Sequence, residues 1–304
     1  MRTPKRTRAG IACITGFTLT ATGVARIRTH ANILCDSDTF GYRRRVRNGS
    51  LEDYDGLDRD VLAIGTDYSY GHVLAPHRHR RAQFLYGVGG VMDVTTAHGS
   101  WIVPSDRAVL IPAETEHAVT MRGVSTRSLY LEPSAVQWFP STCTVVQVSP
   151  LLRELLVEVD EVPIEYAVDG RDAALMALVL HEVARCVALP LDLPLPVHRA
   201  LREQCQLFLR RPDVRTSPRW WADALHVSER TINRMFRQET SMSVTDWQRR
   251  ACVLSSLRSL ASGDAVSTVA ADFGYASPAA FSTTFHRILG SPPSAFRLNR
   301  PELR

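Results

Sequence analysis

The run PHRHRRAQ places His77 and His79 one residue apart, with Gln83 four residues further on and His117 later in the chain. On a strand, alternate side chains share a face, so His-x-His presents two imidazoles side by side. Imidazole nitrogens bind divalent metals, so one chemistry is a metal held by His77, His79 and His117. A second is a small-molecule pocket lined by His77, His79, Gln83 and His117. A third is a set of polar groups hydrogen-bonded at the mouth of a barrel. His72 and His98 have no partner at useful spacing and read as surface or turn residues.

The elements that must position these groups are short. From Val61 to Leu131 the runs VLAIG, QFLYGV, GVMDVTTA, SWIVP, AVLIP, HAVTM and SLYLEP are separated by Gly, Pro and Asp clusters. Many short strands at this spacing predict an antiparallel barrel or double-sheet jelly roll. After Pro150 the period becomes helical, over 151–160 and 172–188. The apolar faces there exceed what a barrel needs, so both helices are expected in subunit contact. The Pro-rich run LPLDLPLP (Leu189–Pro196) predicts a joint, beyond which helices with short turns continue to Phe296.

Within that last part, WWADALHVSERTINRMFRQ (Trp220–Gln238) reads as two helices around a tight turn. Ala222 and Leu225 share a face, His226-Val227 turns, and Ser228 is a good N-cap. Ile232 and Phe236 point inward, leaving Glu229, Arg230, Asn233, Arg234 and Arg237 outside. The pattern recurs: Val266, Val269 and Ala270, a turn at Phe273-Gly274-Tyr275, a cap at Ser277 and Pro278 at the first helical position. Phe281 and Phe285 are then the inward pair. Two such units joined by a helical stretch over about Val244 to Ala261, roughly 25 Å long, suit recognition helices in successive major grooves about 34 Å apart.

Charge agrees with this division. Residues 1–50 hold ten Arg/Lys against two Asp/Glu, residues 51–197 ten against twenty, and residues 198–304 sixteen against nine. Only the basic C-terminal third is expected to meet a polyanion. Lys5 is the single lysine, so arginine is the default cation. Six scattered cysteines without a C-x-x-C pair argue for a reducing cytoplasm. No apolar run reaches the roughly 18 residues of a membrane helix. The start, IACITGFTLTATGVA, has the outline of a secretory signal, but four threonines and two glycines break it; a disordered extension is expected.

Gly71, His77-x-His79, Gln83 and Gly90 have the spacing of the first cupin motif, and Pro112 with His117 matches the second. Gln83 replaces the usual Glu, Asp106 stands where a Gly is expected, and Met121 stands in place of Asn. Losing the Glu removes an anionic ligand for a redox-active cation. The joined pattern V-S-E-R-T-I-x-R-M-F, S-x-x-x-W, V-A-x-x-x-G-Y-x-S-P-x-A-F-x-x-x-F and G-x-x-P-x-x-F-R, over roughly Leu201 to Arg297, resembles the AraC/XylS family of transcription regulators. That family pairs a cupin with this domain, which implies that the cupin binds an effector or mediates subunit contact and turns nothing over.

The resemblance places base contacts at Arg230, Asn233 and Arg234 in the first recognition helix, Arg pairing with guanine and Asn with adenine. In the second the corresponding places are Pro278, Ala279, Ala280 and Thr283, which offer few donors. Thr283, His286 and Arg287 would then reach phosphate or sugar, and this unit would position more than it specifies. Cys252 stands where the family often has Arg. The DNA-contacting set is therefore Ser228, Arg230, Asn233, Arg234, Arg237, Ser277, Ala279, Ala280, Thr283, His286 and Arg287.

The fold expected is α+β and multidomain: a basic disordered extension over 1–55, a cupin-like antiparallel barrel or jelly roll over 56–148, a helical connector over 149–197, and an all-α domain with two helix-turn-helix units over 198–304. The expected function is a cytoplasmic regulator that binds double-stranded DNA and a small-molecule effector, as a homodimer, with no membrane association and no catalytic residues. It needs no cofactor unless the histidines hold a divalent metal. The rival is a metal-dependent cupin enzyme with an appended helical domain.

Overall fold

The computed structural model describes Gly49 and residues 51–296; most of the expected extension and Arg297 lie outside the described residues. Residues 51–55, expected within the extension, instead carry a single helical turn over Leu51–Asp53 and are tied to the barrel by Asp55, which accepts from Arg81 Nε at 3.1 Å.

Eleven strands follow: β1 (Val61–Asp67), β2 (Val73–His77), β3 (Ala82–Val88), β4 (Val91–Thr96), β5 (Gly99–Pro104), β6 (Arg107–Ile111), β7 (His117–Arg122), β8 (Ser125–Leu131), β9 (Thr144–Gln147), β10 (Val187–Ala188) and β11 (Asp192–Pro194). They form two antiparallel sheets, ordered β1-β8-β3-β6-β9-β10 and β11-β5-β4-β7-β2. Leu85, Val109, Ile111 and Val145 of the first sheet meet Met92, Val94, Trp101, Val119 and Met121 of the second in one apolar core. Helices α1 (Pro150–Val159) and α2 (Arg171–Ala184) cover the outer face of the first sheet, packing Leu152, Leu156, Met176 and Val179 on Phe84, Leu110 and Leu129. Sheet-facing burial thus explains much of their apolar character; Leu151 and Leu178 remain exposed. β3 is buried on nearly every residue because both its faces are covered, whereas β7 alternates because one is not.

Two expectations needed correction. The second connector helix ends at Ala184, not 188, and Val187–Ala188 pairs with β9. The Pro-rich joint is itself partly a strand: β11 pairs with β5. It is an edge strand, where proline's missing N–H costs no ladder bond.

The helical part comprises α3 (Arg199–Arg210), α4 (Pro218–Ala224), α5 (Glu229–Thr240), α6 (Val244–Ala261), α7 (Val266–Asp272) and α8 (Pro278–Leu289). Trp221, Phe236 and Trp247 form an edge-to-face cluster, with Trp221 5.1 Å from Phe236 and 5.7 Å from Trp247; such pairs stabilise beyond their buried area. α6 is buried on most of its residues, Cys252 included. Both helix-turn-helix units and the barrel pack against it, which is why even its Gln248, Ser255 and Ser256 are buried. At the barrel, Trp247 Nε1 donates to Pro194 O at 2.7 Å, and Arg250 donates to Asp192 O and Oδ1 at 2.7 and 2.6 Å.

Candidate functional site

The histidines converge, although not by the route their spacing predicts. β2 ends at His77, with a register irregularity between Leu74 and His77, so His79 lies in the loop beyond the strand. His117, at the start of β7, pairs directly with His77. Their ring centroids are 4.3 Å apart, and His79 lies 5.2 Å from His117.

Each imidazole is oriented by a backbone carbonyl. His77, His79 and His117 donate Nδ1–H to Ala75, Arg81 and Thr115 at 2.8, 2.6 and 2.8 Å. That fixes the tautomer and leaves each Nε2 lone pair free, the arrangement common around metal-bound histidines. Candidate ligand atoms of the three lie within 4.8 Å of one another. An ion about 2.1 Å from each nitrogen spans at most about 4.2 Å, so a small closure, within reach of exposed His77, completes a site. Burial lowers the His117 pKa to about 4 and lowers that of His79 as well. Both rings are therefore neutral ligands, unsuited to attracting an anion by charge.

Two further details bear on a cation. His117 Nε2 is buried and has no hydrogen-bond partner among the described residues. Gln83 donates Nε2 to Ser128 Oγ and Tyr130 Oη at 3.1 and 3.2 Å, which leaves its Oε1 facing His79 Nε2 at 3.3 Å. With His79 Nδ1 donating, these are two acceptors. An ion between them resolves the conflict; without one, a turned amide would donate to His79 and accept from the two hydroxyls. Sequence reasoning missed Ser128 and Tyr130; the register that sets Tyr130 opposite Gln83 reveals them. The motif departures also have local reasons. Asp106 takes a left-handed φ of 62°, which Asp tolerates better than most residues, and Met121 is core. His72 and His98 are exposed, as expected. Arg81 is wholly buried, donating to Leu57 and Arg59 carbonyls at 2.9 and 2.7 Å.

In the helical part, Ser228 caps α5 by accepting from Thr231 N, and Ser277 caps α8 by accepting from Ala280 N, with Pro278 in the first turn. Ile232 and Phe236, then Phe281 and Phe285, are buried as the spacing demands. Arg230, Arg234, Arg237, Ala279, Ala280, Thr283, His286 and Arg287 are exposed, and none of these arginines pairs with a carboxylate among the described residues. Asn233 differs: it is half-buried, donates Nδ2 to Glu229 O at 3.0 Å and accepts from Val244 N at 3.3 Å. Its amide serves the start of α6, and reading a base would require releasing it.

Comparison with known proteins finds two matching domains. Residues 61–181 match an AraC-like ligand binding domain and residues 221–299 a helix-turn-helix domain. The chain is 29% identical over 221 residues to the HTH-type transcriptional regulator NimR of Escherichia coli, covering 72% of this chain and 81% of that one. It is 35% identical over 105 residues to the HTH-type transcriptional regulator RipA of Corynebacterium glutamicum, covering 34% of this chain and 31% of that one. The DNA-binding domain of AdpA, solved with a target DNA, is 32% identical over 32% of this chain and 89% of that chain, with a TM-score of 0.31. The relatives are regulators, not enzymes, and the rival reading as a catalytic cupin falls away. The chain thus joins an AraC-like ligand binding domain to a helix-turn-helix domain whose two units are each serine-capped, and in that make-up it is similar to the HTH-type transcriptional regulators.

Proposed function

We propose that the chain is a cytoplasmic, homodimeric regulator in which the barrel senses an effector and α5 and α8 enter successive major grooves. The organisation is a sensor over 56–148, a connector over 149–197 and a DNA-binding domain over 198–304. α5 is the base-reading helix through Arg230 and Arg234, flanked by Arg237 and the Ser228 cap. α8 anchors, with Ser277, Thr283, His286 and Arg287 toward phosphate and sugar and Ala279 and Ala280 close to the groove floor. The single observation that carries this reading is the asymmetry of exposed donors between the two helices. Exposed Leu151 and Leu178 on α1 and α2 support subunit contact.

Within the sensor, His77, His79, Gln83 and His117 form a polar binding site for a divalent ion held by the three histidines. The buried, partnerless His117 Nε2 supports this. Footprinting on the DNA upstream of the gene, with and without zinc, tests the reading: protection of about 20 base pairs in two major grooves is expected, and protection on a single groove would overturn the two-helix arrangement.

A further inference from the structure

A cavity of about 460 Å³ opens beside the barrel, its lining reaching the neighbourhood of His117 through Thr96 and Thr115. Trp101, Cys143 and Val145 of the barrel line it together with Asp192, Leu193 and Pro194 of β11, which pairs with the strand of Trp101. The volume falls within the range of small-molecule sites, which favour places where two domains meet. The lining holds no lysine or arginine, and the carboxylate of Asp192, its one acidic residue, is taken by Arg250 at 2.6 Å. Burial keeps the Cys143 thiol protonated, its pKa pushed up to about 12. An anionic ligand would find no lysine or arginine; a ring would find Trp101, Val145, Leu189 and Leu193, beside serine and threonine residues.

The β11 wall also grips the DNA-binding domain. Asp192 and Pro194, both in the lining of the cavity, give their carbonyls to Arg250 and Trp247 of α6, each at 2.7 Å. α6 joins the two helix-turn-helix units. We infer that this cavity is an effector site for a compact, uncharged, mainly apolar ring compound, and that its occupant acts on α6 through the Asp192–Pro194 strand. This rests on the reading of the chain as an effector-responsive regulator.

The test uses the full chain and N-phenyl-1-naphthylamine, an uncharged two-ring fluorophore that brightens in apolar surroundings. DNA binding is measured first without the probe; binding that depends on Arg234 establishes the regulator reading independently, so a failure of the probe falls on the cavity alone. Saturable binding of one probe per chain is expected. Thr144→Trp and Ala188→Trp, each placed in the lining of the cavity, should each weaken it about tenfold or more while the protein still binds DNA. Saturating probe should alter hydrogen exchange at the α6 amides from Trp247 to Arg250. No saturable binding, equal binding by both filled variants, or binding that leaves α6 exchange untouched would overturn the inference.

Discussion

Asp93 of β4 and Arg258 of α6, 165 residues apart in the chain, form a forked ion pair: Arg258 Nε lies 3.0 and 3.1 Å from the two carboxylate oxygens and Nη2 2.9 Å from Oδ1. Arg122 of β7 donates to the same carboxylate at 3.0 Å. One buried acid therefore ties the barrel's second sheet to the helix that carries both DNA-binding units.

Asp93→Ala strands two guanidinium groups, whereas Arg258→Ala leaves Asp93 paired with Arg122. Because both arginines are about one-third exposed, water compensates in part. We expect losses of about 1–3 kcal/mol for Asp93→Ala and about 0.5–1.5 for Arg258→Ala. Urea unfolding of both singles and the double variant measures the coupling; strict additivity would show that the pair contributes nothing.

Asn233 separates stability from recognition. Asn233→Ala removes the acceptor for Val244 N and should cost about 1 kcal/mol. Asn233→Asp keeps an acceptor and should hold most of that stability. If the aspartate variant also binds operator DNA as well as wild type, Asn233 is purely structural; a selective loss at one adenine position would restore it as a reader.

The two recognition helices should behave differently. Arg234→Ala should cost about 1–3 kcal/mol and relax preference at one base position. Arg287→Ala should weaken binding to all sequences alike and lower the salt slope by about one unit. A library of single-base operator changes at two salt concentrations decides; the reverse pattern would exchange reader and anchor.

For the histidine site, calorimetry should find one zinc ion per chain, with binding lost in His117→Ala and the thermal midpoint of the wild type raised by zinc. Iron and manganese should stay below one equivalent in purified protein, since Gln83 contributes no charge to the ligand set. A full equivalent of either, lost in His77→Ala, would contradict this.

Residue type and local spacing settled much of this protein. Ser228 and Ser277 cap helices because a hydroxyl before a helical run can accept from a free backbone N–H wherever it sits; Ile232, Phe236, Phe281 and Phe285 are buried because their four-residue spacing lies on one helix face. The strand-rich barrel was legible for the same reason, its signal being periodic and local; the three histidines were singled out by motif resemblance, and a loop and a long-range strand pairing, not alternation on one strand, bring them together. Only the tertiary structure decided what depends on distant partners. That Asn233 is committed to Val244, that Gln83 leans on Ser128 and Tyr130, that the Pro-rich joint is a sheet edge, and that Asp93 meets Arg258 all come from contacts between segments far apart in the chain. α6 shows the limit most clearly: buried by the barrel on one side and two helical units on the others, it has no polar face whose period a sequence could display.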